Sequence, residues 1–105
     1  MSINEAEELL AIHLRELDTG FDPQVLYSMN RRFRADFRLY PEPILIEIQG
    51  GVYSRQAHGS ISGILKDNER LNEAAIAGFR MLRFTPDQVK SGEAKETIAR
   101  ALGLR

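Results

Sequence analysis

Cysteine is absent from this chain of 105 residues, which excludes disulfide bonds and thiolate metal sites. A bound metal ion would need oxygen or imidazole ligands, and oxygen ligands favour magnesium, manganese or calcium. No apolar run approaches the roughly 20 residues that span a bilayer, so we expect no membrane partner. Residues 1–5 contain neither a basic nor a hydrophobic region, so we expect no secretory signal and a cytoplasmic location.

An excess of positive charge is also lacking, since the formal net charge is −1 at pH 7. The bulk charge therefore gives no support for nucleic-acid binding, and the distribution of the charges is more informative. Four arginines lie close together in the sequence, namely Arg31, Arg32, Arg34 and Arg38. Length and composition indicate a single globular domain over residues 1–105.

Hydrophobic periodicity predicts an α/β fold with the element order α-β-β-β-α-β-α, in which helices pack on the faces of a mixed sheet. The helices are expected over residues 4–18 (ending at Gly20), 64–77 (ending at Gly78) and about 92–102. The strands are expected over residues 24–29, 32–40, 44–49 and 80–85, with a turn at 41–43 and a loop from Gly50 to Gly63. Thr85, Pro86 and Gln88 form the pattern of a helix N-terminus.

The two middle strands alternate between apolar and polar residues. Strand 32–40 is expected to place Phe33, Ala35, Phe37 and Leu39 on one face and Arg32, Arg34, Asp36 and Arg38 on the other. Strand 44–49 is expected to place Ile44, Ile46 and Ile48 on one face and Leu45, Glu47 and Gln49 on the other.

The short turn between these strands predicts an antiparallel hairpin. If the turn is centred between Pro41 and Glu42, Asp36 lies directly opposite Glu47 on the polar face. Opposed like charges are destabilising unless a cation lies between them, and a divalent metal ion with oxygen ligands would meet that need. The alternative is that Arg34 and Arg38 neutralise both acids and that no metal binds.

Asp36, followed on the next strand by Glu47-Ile48-Gln49, resembles the D…(D/E)-x-K signature of the PD-(D/E)XK nucleases. The resemblance implies a restriction-endonuclease-like αβββαβ core, here with an extra C-terminal helix. Ala35 stands where the family has proline before the aspartate. Gln49 stands where the family usually has lysine, and glutamine can neither carry a charge nor act as a base.

Four segments resemble small phage and bacterial endonucleases related to the very-short-patch-repair endonuclease and to phage homing endonucleases. These are Arg31-Arg32-Phe33-Arg34-Ala35-Asp36-Phe37, Glu47-Ile48-Gln49-Gly50-Gly51, Asn72-Glu73-Ala74 and Gly78-Phe79-Arg80-Met81-Leu82-Arg83-Phe84-Thr85. The resemblance implies a bacterial or phage-encoded endonuclease that uses Mg²⁺ or Mn²⁺ to hydrolyse DNA. Cleavage of both strands would need two encounters or a homodimer.

The resemblance also implies roles for individual residues. Asp36, Glu47 and the carbonyl of Ile48 would hold the metal, and Gln49 would orient the attacking water. His58, Asp67 and an N-terminal glutamate, Glu7 rather than Glu8, would complete the active site. Each also has an ordinary interpretation: Gln49 as a polar strand residue, His58 as a loop residue, Asp67 as a helix N-terminal acid and Glu7 as part of a solvated helix face.

DNA phosphates would be contacted by basic residues, namely Arg31, Arg32, Arg34, Arg38, Lys66 and Arg70. Two other kinds of function remain open from the sequence. One is a nuclease-fold protein that binds nucleic acid with weak or no catalysis. The other is a small α/β interaction domain with structural ion pairs.

Overall fold

The strands form one sheet in the computed structural model, which describes residues 1–50 and 61–104. The strands are β1 (Gly20–Ser28), β2 (Phe33–Tyr40), β3 (Ile44–Ile48) and β4 (Arg80–Phe84). The helices are α1 (Ile3–Glu16), α2 (Ile61–Ile76), α3 (Pro86–Ser91) and α4 (Glu93–Ala101). The sheet order is β1-β2-β3-β4, and only β3 and β4 run parallel. The predicted α/β class, with a mixed sheet flanked by helices, is confirmed.

Local sequence determines where several helices begin and end. Thr85 accepts a hydrogen bond from the Gln88 N–H, and the Gln88 side chain accepts one from the Thr85 N–H, so the predicted capping box is present. Gly92 then adopts a left-handed conformation with φ of 90° and separates α3 from α4. A separate short helix, α3, therefore precedes α4, and α4 corresponds to the helix expected over residues 92–102.

Several expected boundaries were wrong, and β1 begins at Gly20 rather than at residue 24. Helix α1 ends at Glu16 rather than at Gly20, because Asp18 makes the turn with a positive φ of 56° and Gly20 already belongs to β1. Helix α2 already begins at Ile61, so the expected loop does not extend to Gly63. Within the described residues, no helix is long and apolar enough to cross a membrane.

The sheet separates two clusters of buried apolar side chains. Helices α1, α3 and α4 cover one face, where the cluster contains Ala6, Leu10, Leu14, Phe37, Leu39, Ile44, Ile46, Ile48, Phe84, Val89, Ala94 and Ile98. Helix α2 covers the other, where the cluster contains Tyr27, Phe33, Ala35, Leu45 and Ala74. Every residue of β3 is buried, so this strand is the centre of the fold.

The predicted hairpin register is confirmed, since β2 and β3 pair from Phe37 with Ile46 to Leu39 with Ile44. The predicted alternation along the whole of β2 was wrong, because Phe33 and Phe37 belong to clusters on opposite faces. The strand changes face around Asp36. In β1, the residue that the register places beside Asp36 is Gln24, which has a positive φ of 52°.

Candidate functional site

The Asp36 carboxylate lies at the point where β2 loses its regular alternation. Its Oδ2 accepts a hydrogen bond of 2.7 Å from the backbone N–H of Ile48 on β3. Helix α1 brings Glu7 to this end of the sheet, close enough to Asp36 for the two carboxyl groups to interact. The structure therefore brings together two of the predicted site residues from distant parts of the sequence.

Proximity of two acids makes the Glu7 carboxyl unusually easy to protonate. Burial raises the pKa of Glu7 above its ordinary value, and the charge of Asp36 and the hydrogen bond between them raise this pKa further. A proton on Glu7 relieves the repulsion between its carboxylate and that of Asp36. A divalent cation can replace that proton, because it stabilises both groups in their charged form.

Glu7→Gln is expected to stabilise the metal-free protein at pH 7, by less than about 1 kcal/mol because the pair is partly solvated. A raised carboxyl pKa means that the wild type loses stability as the pH rises above 4.5 and through the raised value. Glutamine avoids that loss, so the difference should shrink as the pH falls below 4.5. Urea denaturation across this pH range measures it. Glu8→Gln, which removes an exposed charge of the same helix, is the control, and a gain of the same size there would contradict the interpretation.

Glu47 is held in a different set of contacts. Its side chain is nearly buried, with the residue 9% exposed, and its Oε2 accepts a hydrogen bond from Nη2 of Arg70 on α2. Its Oε1 lies 3.2 Å from Nε of Arg83, the residue directly beside Glu47 in the parallel β3–β4 pair. Two arginines therefore neutralise this acid.

Arg83 links Glu47 to Asp67. Its Nη1 lies 2.7 Å from Oδ1 of Asp67 on α2, so one guanidinium contacts two carboxylates. Burial lowers the pKa of Arg83, but the hydrogen bond with Asp67 and the charges of Glu47 and Asp67 outweigh that effect and raise the pKa. Arg83 thus connects Asp67 to Glu47. We call this ion network the Glu47 cluster, and its members are Glu47, Asp67, Arg70 and Arg83.

Aromatic rings form one side of the Glu47 cluster. The guanidinium of Arg70 lies over Phe33, 5.0 Å from the ring centroid, and also near Tyr27 at 5.9 Å. The Tyr27 hydroxyl is buried without a hydrogen-bond partner among the described residues. Burial raises the pKa of Tyr27, so this phenol stays protonated at neutral pH.

The predicted convergence of Asp36 and Glu47 is not what the described contacts show. Asp36 contacts Glu7 on α1, whereas Glu47 contacts Arg70 on α2, and these helices cover opposite faces of the sheet. The alternative that arginines neutralise the acids holds for Glu47, but the arginines are Arg70 and Arg83 rather than Arg34 and Arg38. Over residues 1–50 and 61–104 there is no group of three or more His, Cys, Asp or Glu side chains arranged to hold a metal ion.

The structure describes some of the remaining candidates for the active site and not others. The backbone N–H of Gln49 donates to Phe84 at 2.7 Å, which fixes the end of β3 beside β4. A Cβ at Gly50 would overlap Cδ1 of Ile3, so a side chain there would displace the end of that exposed side chain. His58 and Gly51 fall outside the described residues.

The arginines proposed to contact DNA have different surroundings. Arg31 forms an ion pair of 2.5 Å with Glu69, and Arg38 stacks on the ring of Tyr40 at 3.9 Å. Arg70 is engaged in the Glu47 cluster. The exposed members of the set are Arg31, Arg32, Arg34 and Lys66. Arg83 was not recognised as a site residue from the sequence. The sequence did predict a strand over residues 80–85 that contains Arg83, but its position beside Glu47 is a finding of the structure.

Comparisons with models of known protein families, with curated proteins and with solved structures found no match to this chain.

Proposed function

We propose that this protein is a metal-dependent DNA endonuclease of the PD-(D/E)XK type that uses Mg²⁺ or Mn²⁺. The observation that carries the proposal is the contact between Glu7 and Asp36. Two acids far apart in the sequence meet beside the backbone of Ile48, at the place where β2 departs from its regular path. They supply oxygen donors of the kind that Mg²⁺ and Mn²⁺ prefer, and they are the glutamate and aspartate that the family resemblance implies.

The chemistry needs few protein groups besides the ligands. A divalent ion bound there would polarise the phosphodiester and lower the pKa of a bound water. Asp36 and Glu7 would hold it, with the Ile48 carbonyl, and Gln49 would orient the water. His58 would supply a proton or accept one, since its ordinary pKa lies near neutrality. Exposed arginines on β2, such as Arg34, would contact the phosphate backbone.

A nucleic-acid-binding protein with weak or no catalysis is the second candidate. The observation that favours it is the pairing of Glu47 with Arg70 and Arg83, which occupies both carboxylate oxygens. In a nuclease of this family type, Glu47 would have to exchange an arginine for the metal. In a binding protein, the same ion pairs would be permanent.

Supercoiled plasmid distinguishes the two candidates. The endonuclease is expected to nick it in Mg²⁺ or Mn²⁺ and to stop when EDTA is added. Plasmid that is retained on the protein at low salt, released at high salt and never cut would support the binding protein instead. Cutting that continues in EDTA would contradict the metal-dependent mechanism.

A further inference from the structure

We propose that the outer face of helix α2 is the contact surface between two copies of this chain, which pair through antiparallel α2 helices around a two-fold axis. This inference goes beyond the proposed nuclease function and does not depend on it. It assigns a partner to a surface that takes no part in the Glu7–Asp36 contact or in the Glu47 cluster.

Helix α2 carries apolar side chains on the face that points away from the sheet as well as on the face that packs against it. On the inner face, Ala74 is buried in the cluster beside the sheet. The outer face exposes six apolar residues, namely Ile61, Ile64, Leu65, Leu71, Ala75 and Ile76. A helix that is apolar on opposite faces is normally buried on both of them. The outer face is therefore expected to be covered by a partner.

The outer face is large enough for a specific interface. Its five large side chains are between 37% (Leu71) and 78% (Ile76) exposed. They present on the order of 500 Å² of apolar surface, so the pairing of two copies would remove on the order of 1,000 Å² from water. That area is at the lower end of the range for specific interfaces between proteins.

Charge does not oppose the contact of two copies. Between its apolar residues, the outer face carries Asn68 and Asn72, which are exposed and uncharged. The acid on its border, Glu69, forms an ion pair with Arg31 of the same chain. Two copies can therefore approach along this face without strong repulsion between like charges.

The two asparagines indicate that the partner is a second copy of the chain. An amide both donates and accepts hydrogen bonds, so one asparagine can satisfy another. If two α2 helices run antiparallel with the two-fold axis level with Arg70, Asn68 lies opposite Asn72 of the partner subunit. In the same register, Ile64 lies opposite Ile76 of the partner subunit. One register thus pairs amide with amide and apolar with apolar, as polar residues within an apolar helix interface do when they fix its alignment.

Pairing through α2 leaves the proposed active site uncovered. Helix α2 packs on one face of the sheet, whereas α1, which carries Glu7, packs on the other. The Glu7–Asp36 contact is therefore on the far side of the sheet from the proposed interface. A dimer of this kind would carry two such sites, one on each subunit.

Sedimentation equilibrium of the whole chain tests the proposal. The wild type is expected to form dimers with a dissociation constant of about 10 µM or lower. Leu65→Lys places a charge in the interface, and it is expected to weaken dimerisation at least about 50-fold. Leu65 is 62% exposed in the single chain, so the variant should keep the far-ultraviolet circular dichroism of the wild type. Ile12→Lys is the matched control, because Ile12 is an exposed isoleucine of α1, and it should dimerise as the wild type does.

Disulfide formation between subunits tests the register. The chain has no cysteine of its own, so a thiol introduced at position 68 or 72 is the only one in its chain. On mild oxidation, an equimolar mixture of Asn68→Cys and Asn72→Cys is expected to form linked dimers at least about 5-fold faster than either variant alone. Equal rates would contradict the antiparallel pairing.

Three further results would overturn the inference. One is a wild type that stays monomeric at about 100 µM, ten times the expected dissociation constant. Another is a dimer that Leu65→Lys does not weaken, which would mean that the interface is elsewhere. The third is a monomer that sediments with lipid vesicles and loses this property in Leu65→Lys, which would assign the outer face of α2 to a membrane surface instead.

Discussion

Asp36→Asn is expected to reduce metal-dependent plasmid nicking at least about 100-fold. A metal ligand contributes several kcal/mol to the stabilisation of the transition state, and each 1.4 kcal/mol corresponds to about 10-fold in rate. Asparagine keeps an oxygen that can accept the hydrogen bond from the Ile48 N–H, so the fold should survive. The charge that would hold the metal beside Glu7 is lost.

Asp22→Asn is the matched control for this experiment. Asp22 lies exposed on β1 and accepts a hydrogen bond from the Tyr40 hydroxyl at 3.0 Å. It should nick plasmid at the wild-type rate. Both variants should show the same far-ultraviolet circular dichroism as the wild type. Nicking by the Asp36 variant at the wild-type rate would show that Asp36 is not an active-site residue and would contradict the site assignment.

Glu47→Ala is expected to destabilise the fold by about 3 kcal/mol, which is the range for removing one partner of a buried ion pair. Arg83 would keep only Asp67, and Arg70 would lose the one carboxylate that it contacts. Burying a charge without its partner costs more than the pair itself contributes. Urea denaturation at pH 7 measures the change.

Glu42→Ala provides the comparison, since Glu42 pairs with Arg80 where both side chains are about half exposed. Loss of that pair is expected to change the free energy of unfolding by less than about 1 kcal/mol. Equal effects of the two substitutions would mean that the Glu47 cluster contributes no more than a surface pair. Glu47→Gln should fall between the two, because the amide keeps one acceptor for an arginine.

The part of the β2–β3 hairpin nearest the turn could be predicted from the sequence. Its two strands alternate strongly, and Pro41 and Pro43 restrict the turn between them, so the register from Phe37 to Leu39 follows from the length of the turn. The helix that begins after Thr85 was equally accessible, because its capping residue, its proline and its Gln88 are adjacent in the sequence.

The change of face of β2 around Asp36 could not be predicted in the same way. It goes together with a positive φ at Gln24, and neither glycine nor asparagine marks that position. The partners of Glu47 were also hidden, because Arg70 and Arg83 come from a helix and a strand further along the chain, and only the packing of α2 across β3 decides which arginine reaches it. Glu7 was identified by resemblance, and its contact with Asp36 depends on how α1 docks.

Within residues 1–50 and 61–104, the order of the strands leaves β1 and β4 at the edges of the sheet, and open edges invite pairing between molecules. On β1, Pro23 has no N–H to donate, and Gln24 has a positive φ of 52°, which is not the conformation of a regular strand. On β4, only five residues are available, and the first is the exposed Arg80. The irregular strand conformation next to Asp36 is thus expected to make this edge a poor template for pairing between molecules.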